Sequence, residues 1–142
     1  MEKLSIIIPV YNEEKTIFKV IQSVKKVKIK DVEKEIIVVD DCSTDRTRDV
    51  LKKINDKSIK VLYHKKNMGK GAAIRTAFGH CSGSIISIQD ADSEYDPKNI
   101  LRLIRPILNK QYDVIYGSRF LGKKMVLFGR NKTVLPMHWI GN

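Results

Sequence analysis

The stretch EIIVVDD, residues 35–41, places four consecutive β-branched residues between a glutamate and two aspartates. Such residues favour strands, and a run without apolar–polar alternation is typical of a strand buried on both faces. Strands of that kind occur in parallel sheets that are covered by helices on both sides. The stretch therefore predicts a central strand of an α/β protein, with Asp40 and Asp41 at its carboxyl end.

Four further apolar runs alternate with helical patterns along the chain. The predicted strands are residues 4–10, 35–41, 58–64, 84–88 and 113–117. Between them, apolar residues recur at spacings of three and four, as on one face of a helix. These stripes are Ile17, Val20, Ile21, Val24 and Val27; Thr47, Val50, Leu51 and Ile54; Ile74, Ala77, Phe78 and Cys81; and Ile100, Leu103, Ile104 and Ile107. The alternation predicts an α/β fold with a largely parallel sheet, helices on both faces and right-handed crossovers.

Capping residues predict where the helices begin and end. Asn12 is a good N-cap for the first helix, and the two glutamates after it suit a first helical turn. Asp96 followed by Pro97 predicts the start of the last helix. Pro106 should end or kink that helix near residues 102–105.

The composition describes a basic, single-domain chain of 142 residues with a net charge of +11. The charge favours an anionic partner such as a nucleotide, a nucleic acid or an anionic lipid surface, or else reflects a lysine-rich solvated surface. No apolar run reaches the roughly 18 residues that a membrane span needs. The two cysteines, Cys42 and Cys81, lack the spacing of a metal site, and unpaired thiols fit a reducing compartment.

Carboxylates gather after two of the predicted strands, at Asp40-Asp41 and in the stretch QDADSE, residues 89–94. Both strands end at the sheet edge where open α/β sheets bind ligands. Asp90 and Asp92 lie on the same side of an extended segment, so both can reach one cation. The pattern predicts a divalent metal that holds a phosphorylated ligand. Asp45 and Asp96, in contrast, are interpreted as turn and cap residues.

Two basic features follow the same edge. Gly69-Lys70-Gly71 opens a helix and would bring amide groups and Lys70 near a phosphate, or else simply start a close-packed helix. Arg119 follows the fifth strand, where it would meet a phosphate or pair with a carboxylate. Arg130 has no placement from pattern alone. A phosphorelay receiver fits poorly, because the first strand ends in Pro9-Val10-Tyr11 instead of paired acids. A nucleic-acid-binding domain is disfavoured, because the basic residues are dispersed and only 7% of residues are aromatic.

Taken together, the motifs resemble the N-terminal half of a family 2 glycosyltransferase with the GT-A fold. The resemblance rests on IPVYNEE at 8–14, VVDDCSTD at 38–45, NMGKG at 67–71 and DAD at 90–92, and covers essentially the whole chain. With Glu94 and GSRF at 117–120, residues 90–92 also resemble the polyprenyl-phosphate branch, the dolichyl-phosphate mannosyltransferase type. That branch implies transfer of a hexose from a GDP- or UDP-sugar to a lipid phosphate, with inversion.

The resemblance also implies roles for individual residues. The base and ribose pocket would comprise Pro9, Tyr11, Asn12 and Glu13. Asp40 would accept a base N–H. Asp90 and Asp92 would bind ribose, diphosphate and Mg²⁺ or Mn²⁺, with Glu94 as a further metal ligand. Arg119 would hold the acceptor phosphate, with Arg130 as a second such residue, so that Asp92 and Arg119 are the expected catalytic pair.

The same resemblance sets expectations for the whole chain. Residues 1–117 would be the nucleotide-sugar-binding core, and 118–142 the incomplete start of an acceptor-side region in a truncated chain. The expected partners are a nucleotide-sugar and a lipid phosphate at the cytoplasmic face of a membrane, without nucleic acid. The alternatives are a family 2 enzyme that acts on a saccharide hydroxyl and a non-catalytic nucleotide-sugar-binding fragment. We expect the isolated chain to bind nucleotide and metal weakly and to turn over poorly.

Overall fold

A computed structural model describes residues 2–92 and 96–117, together with the backbone of 125–128. Backbone packing divides the chain into two compact units, Met1–Asn99 and Ile100–Asn142. The predicted boundary after residue 117 remains a prediction.

The first unit is a four-stranded parallel sheet with helices between its strands. Its elements are β1 (Glu2–Val10), α1 (Ile17–Lys26), β2 (Val32–Asp40), α2 (Thr47–Lys52), β3 (Ile59–Tyr63), α3 (Lys70–Phe78) and β4 (Ile85–Ile88). The strand order is β3-β2-β1-β4, and all three pairings are parallel. The predicted α/β fold with a largely parallel sheet is therefore confirmed.

The side chains of the two central strands, β1 and β2, point alternately to the two faces of the sheet. Ile7 of β1 and Ile37 and Val39 of β2 form one buried cluster with Ala73 and Ala77 of α3. The two alanines have small side chains, so α3 can pack closely on β1 and β2. Because side chains alternate along a strand, the even-numbered residues of β2 face the other side of the sheet.

The helix stripes are confirmed in α1 and only partly in α3. All five predicted residues of the α1 stripe, from Ile17 to Val27, are buried. In α3 the inner line runs through Ala73 and Ala77, which leaves Phe78, at the flank of the predicted stripe, 49% exposed. The burial predicted for Phe78 was therefore wrong.

The first helix also begins later than predicted. Asn12 has a left-handed backbone, with φ of 54°, and α1 starts five residues further on, at Ile17. The carbonyl oxygen of Glu13 accepts hydrogen bonds from the amides of Thr16 and Ile17, so a turn precedes the helix. Asn12 is consequently not the N-cap of α1.

The last described elements are α4 (Asn99–Leu108), β5 (Val114–Gly117) and β6 (Met125–Phe128). Asp96 accepts a hydrogen bond from the amide of Lys98 at 2.9 Å, in a turn before the helix. Because α4 starts at Asn99, two residues later than predicted, Asp96 is a turn residue and not the N-cap of α4. The helix does not end at residues 102–105 but continues two residues past Pro106, where the Asn109 amide still donates to the Arg105 carbonyl oxygen at 3.0 Å. β5, predicted as the fifth strand of the series, pairs with β6 in an antiparallel two-stranded sheet.

A carboxylate ties the amino-terminal edge of the parallel sheet together. Glu35 of β2 accepts hydrogen bonds from the Ser5 hydroxyl at 2.5 Å and the Ser82 amide at 2.7 Å, and Lys3 Nζ lies 3.3 Å away. The Gly83 amide donates to Ser5 Oγ, and a Cβ at Gly83 would lie 2.6 Å from the Lys3 carbonyl oxygen. The backbone thus approaches so closely that only glycine fits there.

The same contacts set the ionisation of Glu35. Burial acts to raise its pKa, but the hydrogen bonds from Ser5, Ser82 and Lys3 outweigh burial and lower the pKa from 4.5 to about 2. Because the pKa in the folded state is lower than the ordinary value, the ionised carboxylate stabilises the fold fully above about pH 4.5. This stabilisation is lost as the pH falls toward 2.

We predict that Glu35→Gln lowers the free energy of unfolding by about 1.5–3 kcal/mol at pH 7, because an amide N–H would face donors in place of a carboxylate oxygen. The difference from the unsubstituted protein should shrink as the pH falls below 4.5, which urea titrations at several pH values would measure. Glu33→Gln is the matched control, because the Glu33 side chain is 65% exposed and also lies near Lys3. A Glu35→Gln deficit that stays constant down to pH 2.5 would contradict the assignment.

Candidate functional site

A cleft of about 190 Å³ opens at the carboxyl edge of the parallel sheet, where open α/β sheets bind ligands. Its lining comes from the ends of β1 and β2, the start of α3 and the segment after β4. The lining residues are Pro9, Val10, Tyr11, Glu13, Asp41, Lys70, Ala73, Asp90, Ala91 and Asp92. Six residues predicted for the site are among them: Pro9, Tyr11, Glu13, Lys70, Asp90 and Asp92. Glu94, Arg119 and Arg130 lie outside the described residues.

Asn12, also predicted for the nucleotide pocket, shapes the loop instead of lining the cleft. Its side-chain oxygen accepts a hydrogen bond from the Thr44 amide at 2.8 Å, and its own amide donates to Ser43 Oγ at 2.9 Å. Asparagine is among the residues that tolerate a left-handed backbone, which Asn12 adopts. Asn12 therefore joins the loop after β1 to the loop after β2.

A second set of hydrogen bonds joins the same two loops. The Glu13 amide donates to Thr47 Oγ1 at 2.8 Å, and the Glu14 amide donates to Asp45 Oδ2 at 3.2 Å. In return, Glu14 Oε2 accepts the Arg46 amide at 3.0 Å. These amides precede helices and have no intrahelical partner of their own. The YNEE and CSTD segments thus hold each other in place at the cleft edge, and Asp45 acts as the turn residue that the sequence predicted.

Asp40, expected to accept a base N–H, does not line the cleft. It is fully buried, its Oδ2 lies 2.5 Å from Arg48 Nε, and its Oδ1 accepts the Ser43 amide at 3.2 Å. Arg48 also donates to the His64 carbonyl oxygen at 2.6 Å and lies over the Tyr63 ring, 5.5 Å from its centroid. The cause is alternation along β2, which directs Asp40 to the face opposite α3.

Of the two neighbouring aspartates, Asp41 is the one that lines the cleft. The sequence prediction did not assign it a role of its own. It is 3% exposed and accepts hydrogen bonds from the Met68 amide at 2.9 Å and the Gly69 amide at 2.6 Å. His64 Nδ1 lies 2.6 Å from Asp41 Oδ1, the oxygen that also accepts the Met68 amide. Burial acts to raise the pKa of Asp41, but the hydrogen bonds from His64, Met68 and Gly69 outweigh burial and lower it. Asp41 is thus an ionised carboxylate that joins the end of β2 to the start of α3.

The start of α3 depends on a glycine. Gly69 has φ of 85°, a conformation that side chains rarely adopt, and its carbonyl oxygen accepts the amides of Ala72 and Ala73. The amides of Lys70 and Gly71 precede these first intrahelical bonds, at the positive end of the helix dipole. The NMGKG segment therefore presents a helix start and a lysine to the cleft.

Lys70 forms an ion pair with one of the two aspartates after β4. Its Nζ lies 2.5 Å from Asp90 Oδ1, and both side chains are partly exposed. Asp92 lines the same cleft two residues further on. Carboxylate oxygens are the ligands that Mg²⁺ and Mn²⁺ prefer, and Asp90 already attracts a cation, so the two side chains fit a divalent metal. Among residues 2–92 and 96–117, no group of three or more His, Cys, Asp or Glu side chains is arranged to hold a metal.

The parallel sheet and the cleft at its carboxyl edge define an α/β domain with a ligand-binding cleft at the edge where open parallel sheets bind ligands. Residues 5–139 match the family model described as "Glycosyl transferase family 2". The chain belongs to this family.

Several curated proteins are similar to the chain. Dolichol-phosphate mannosyltransferase of Pyrococcus furiosus is 33% identical over 120 residues, which cover 84% of this chain and 34% of that protein. Undecaprenyl-phosphate 4-deoxy-4-formamido-L-arabinose transferase of Proteus mirabilis is 32% identical over 123 residues, covering 84% of this chain and 37% of that protein. The chain therefore spans little more than a third of the length of these relatives.

Solved structures show the same fold. A mannosyltransferase from Pyrobaculum calidifontis, in complex with GDP-Man and Mn²⁺, superposes with a TM-score of 0.62 at 28% identity, covering 70% of this chain and 30% of that one. Residues 1–349 of TarS from S. aureus, in complex with UDP-GlcNAc, give a TM-score of 0.62 at 32% identity, covering 76% and 31%. These similarities confirm the predicted GT-A fold. In the part of the chain that the structure describes, no helix has the length and apolar character to cross a membrane.

We predict that Arg48→Met destabilises the fold by about 3 kcal/mol, because it leaves the fully buried Asp40 carboxylate without its cation. Arg46→Met is the matched control, since the Arg46 side chain is 83% exposed and its loss should cost less than about 1 kcal/mol. The double variant Asp40→Asn/Arg48→Met should recover part of the loss, because it removes the buried charge as well. Urea unfolding measures all three, and equal effects of the two arginine substitutions would contradict the role assigned to Arg48.

Proposed function

We propose that the chain forms the donor-binding part of a glycosyltransferase that moves a hexose from a GDP- or UDP-sugar to a polyprenyl phosphate, with inversion. The observation that carries the proposal is the cleft in which Asp41, Lys70, Asp90 and Asp92 meet. A nucleoside diphosphate needs carboxylates for base or ribose donors and cations for its phosphates. The cleft provides both kinds of group within one small volume.

The base and ribose would lie against the β1 and β2 side of the cleft. Pro9 and Tyr11 line it there, and Tyr11 is 45% exposed, so its ring is accessible for stacking. Glu13 lines the same side and can accept hydrogen bonds from ribose hydroxyls. In place of Asp40, we assign the base N–H to Asp41, the carboxylate of the pair that reaches the cleft.

The diphosphate would lie between α3 and the segment after β4. The amides at the start of α3 and the Lys70 ammonium are suited to phosphate oxygens. Asp90 and Asp92 would hold Mg²⁺ or Mn²⁺, with Glu94 as a further candidate ligand. When bound, the metal offsets the negative charge that develops on the leaving nucleoside diphosphate.

The acceptor would be the phosphate of a polyprenyl lipid at the cytoplasmic face of a membrane. A phosphate oxygen is already anionic, so it can attack the anomeric carbon without a general base while the bond to the nucleoside diphosphate breaks. Arg119 and Arg130 are the candidates to hold this phosphate. The lipid-phosphate transferases among the relatives support this acceptor, and the net charge of +11 favours an anionic surface.

A hydroxyl acceptor is the second candidate. It is favoured by the similarity to a glucosyl-3-phosphoglycerate synthase from Mycobacterium tuberculosis, in complex with Mn²⁺, UDP and glucosyl-3-phosphoglycerate, at a TM-score of 0.61 and 28% identity, covering 75% of this chain and 40% of that one. A hydroxyl acceptor requires a carboxylate base to remove its proton, whereas a phosphate acceptor does not. Activity that persists with polyprenyl phosphate at pH values low enough to protonate such a base would favour the lipid.

The donor site is tested by a thermal-shift panel of GDP, UDP and their sugar conjugates, with and without Mn²⁺. We predict a nucleotide-dependent rise in Tm that increases with Mn²⁺ and that loses its metal-dependent part in Asp92→Ala, because the substitution removes a metal ligand. Asp49→Ala is the matched control, since Asp49 is an exposed aspartate of α2 that does not line the cleft.

Two outcomes would contradict these assignments separately. Full metal-dependent stabilisation of Asp92→Ala would exclude Asp92 as a ligand. No shift with any nucleotide would exclude the donor site, and salt-sensitive binding to generic DNA that neither GDP nor UDP alters would instead support a nucleic-acid-binding function.

The ion pair between Lys70 and Asp90 leads to a further prediction. Lys70→Met should tighten the binding of Mn²⁺ alone by about two- to fivefold, because an exposed ammonium no longer competes for Asp90. The same variant should weaken GDP or UDP binding, because a phosphate partner is lost. Electron paramagnetic resonance of unbound Mn²⁺ measures the first effect, and calorimetry measures the second. Weaker Mn²⁺ binding by Lys70→Met would contradict the competition.

A further inference from the structure

The only buried histidine among the described residues contacts a residue that lines the cleft. His64 follows β3 directly and is 8% exposed. Its backbone is held on both sides, because its amide donates to the Asp40 carbonyl oxygen at 2.9 Å and its carbonyl oxygen accepts Arg48 Nη2 at 2.6 Å. The position of the imidazole is therefore defined by the strand ends as well as by its own contacts. His64 itself does not line the cleft.

The imidazole connects the cleft carboxylate to α3. Nδ1 lies 2.6 Å from Asp41 Oδ1, and Nε2 lies 2.9 Å from Thr76 Oγ1, in the last turn of α3. An ionised carboxylate can only accept hydrogen bonds, so Nδ1 carries the proton and donates to Asp41. In the neutral tautomer Nε2 then accepts from the Thr76 hydroxyl. Both ring nitrogens are thereby satisfied.

The Asp41 carboxylate connects the His64 imidazole to the start of α3. The same Oδ1 that His64 contacts accepts the Met68 amide, while Oδ2 accepts the Gly69 amide. Lys70, the next residue, begins α3 and lines the cleft. Without the Nδ1–H donor, a buried carboxylate would rotate toward its remaining amide donors, and the backbone that carries Lys70 would shift with it.

We propose that His64 is a positioning residue for nucleotide binding: it orients the Asp41 carboxylate and, through it, the Met68–Lys70 backbone against the phosphates. The proposal rests on the proposed donor site and adds a residue that does not touch the ligand. A misplaced Met68–Lys70 backbone should weaken nucleotide binding by about tenfold, which corresponds to about 1.4 kcal/mol.

Three substitutions and one control separate positioning from general stability. His64→Leu removes both contacts, and His64→Asn retains an N–H donor near the place of Nδ1. Thr76→Val removes only the outer partner, at Nε2. His80→Asn is the matched control, because His80 is exposed and contacts Lys60 instead of a cleft residue. Isothermal titration with GDP and with UDP in the presence of Mn²⁺, well below each variant's Tm, gives the affinity of the full chain.

We expect His64→Leu to bind nucleotide at least about tenfold more weakly, His64→Asn to recover most of the affinity, and Thr76→Val to have a smaller effect. His80→Asn should bind like the unsubstituted protein. Equal affinities of His64→Leu and the unsubstituted protein would overturn the proposal. A His64→Asn variant as weak as His64→Leu would do the same.

A second readout keeps this proposal distinct from the proposed function. Amide hydrogen exchange at Met68 and Gly69, measured without nucleotide, should accelerate in His64→Leu and stay slow in His80→Asn. Unchanged exchange in His64→Leu would overturn the positioning role even if nucleotide binds. An unsubstituted protein that binds neither GDP nor UDP, but whose exchange depends on His64, would contradict the donor site and leave the link from His64 to the Met68–Gly69 backbone standing.

Discussion

The site depends on the in-register parallel pairing of β1 with β2. Nine residue pairs run from Glu2 with Val32 to Val10 with Asp40, and the ladder continues when the Asp41 amide donates to the Val10 carbonyl oxygen. Because the two strands end level with each other, the loops that follow them start side by side. Each loop must turn sharply, and its amides then find acceptors on the other loop more readily than within its own chain segment. The mutual hydrogen bonding of YNEE and CSTD follows directly from that register.

The neighbouring aspartates Asp40 and Asp41 point to opposite faces of the sheet and therefore have different roles. Residues 37, 39 and 41 of the β2 segment face α3, whereas 36, 38 and 40 face the other side. The charge of Asp40 is neutralised by the Arg48 guanidinium, so Asp40 has a structural role. Asp41 is held by an imidazole and two backbone amides, and it lines the cleft. One extra residue in β2 would exchange these roles, because side-chain direction alternates with every residue.

Periodicity in the sequence was sufficient for the parallel sheet, for the α1 stripe and for the edge at which acidic residues collect. It was not sufficient to choose between Asp40 and Asp41, because both are polar and the face covered by α3 is decided by Ala73 and Ala77, far along the chain. The role of Asn12 was missed for a similar reason: local capping statistics favoured an N-cap, but its partner Thr44 lies 32 residues away. β5 was correctly located, yet its partner β6 is a four-residue run in a segment without periodicity, so its antiparallel pairing had no signal.

The chain has a net positive charge, whereas the residues that line the cleft have a net negative charge. A net charge of +11 attracts an anionic nucleotide from a distance, while the carboxylates Asp41, Asp90 and Asp92 concentrate negative potential at the point of arrival. A diphosphate can approach these carboxylates only if cations lie between them. Among the described residues that line the cleft, Lys70 is such a cation, but one ammonium paired with Asp90 does not offset four carboxylates, with Glu13 as the fourth, and a diphosphate. In the donor site that we propose, a divalent metal would supply further positive charge beside the diphosphate, so we expect donor and metal binding to be cooperative.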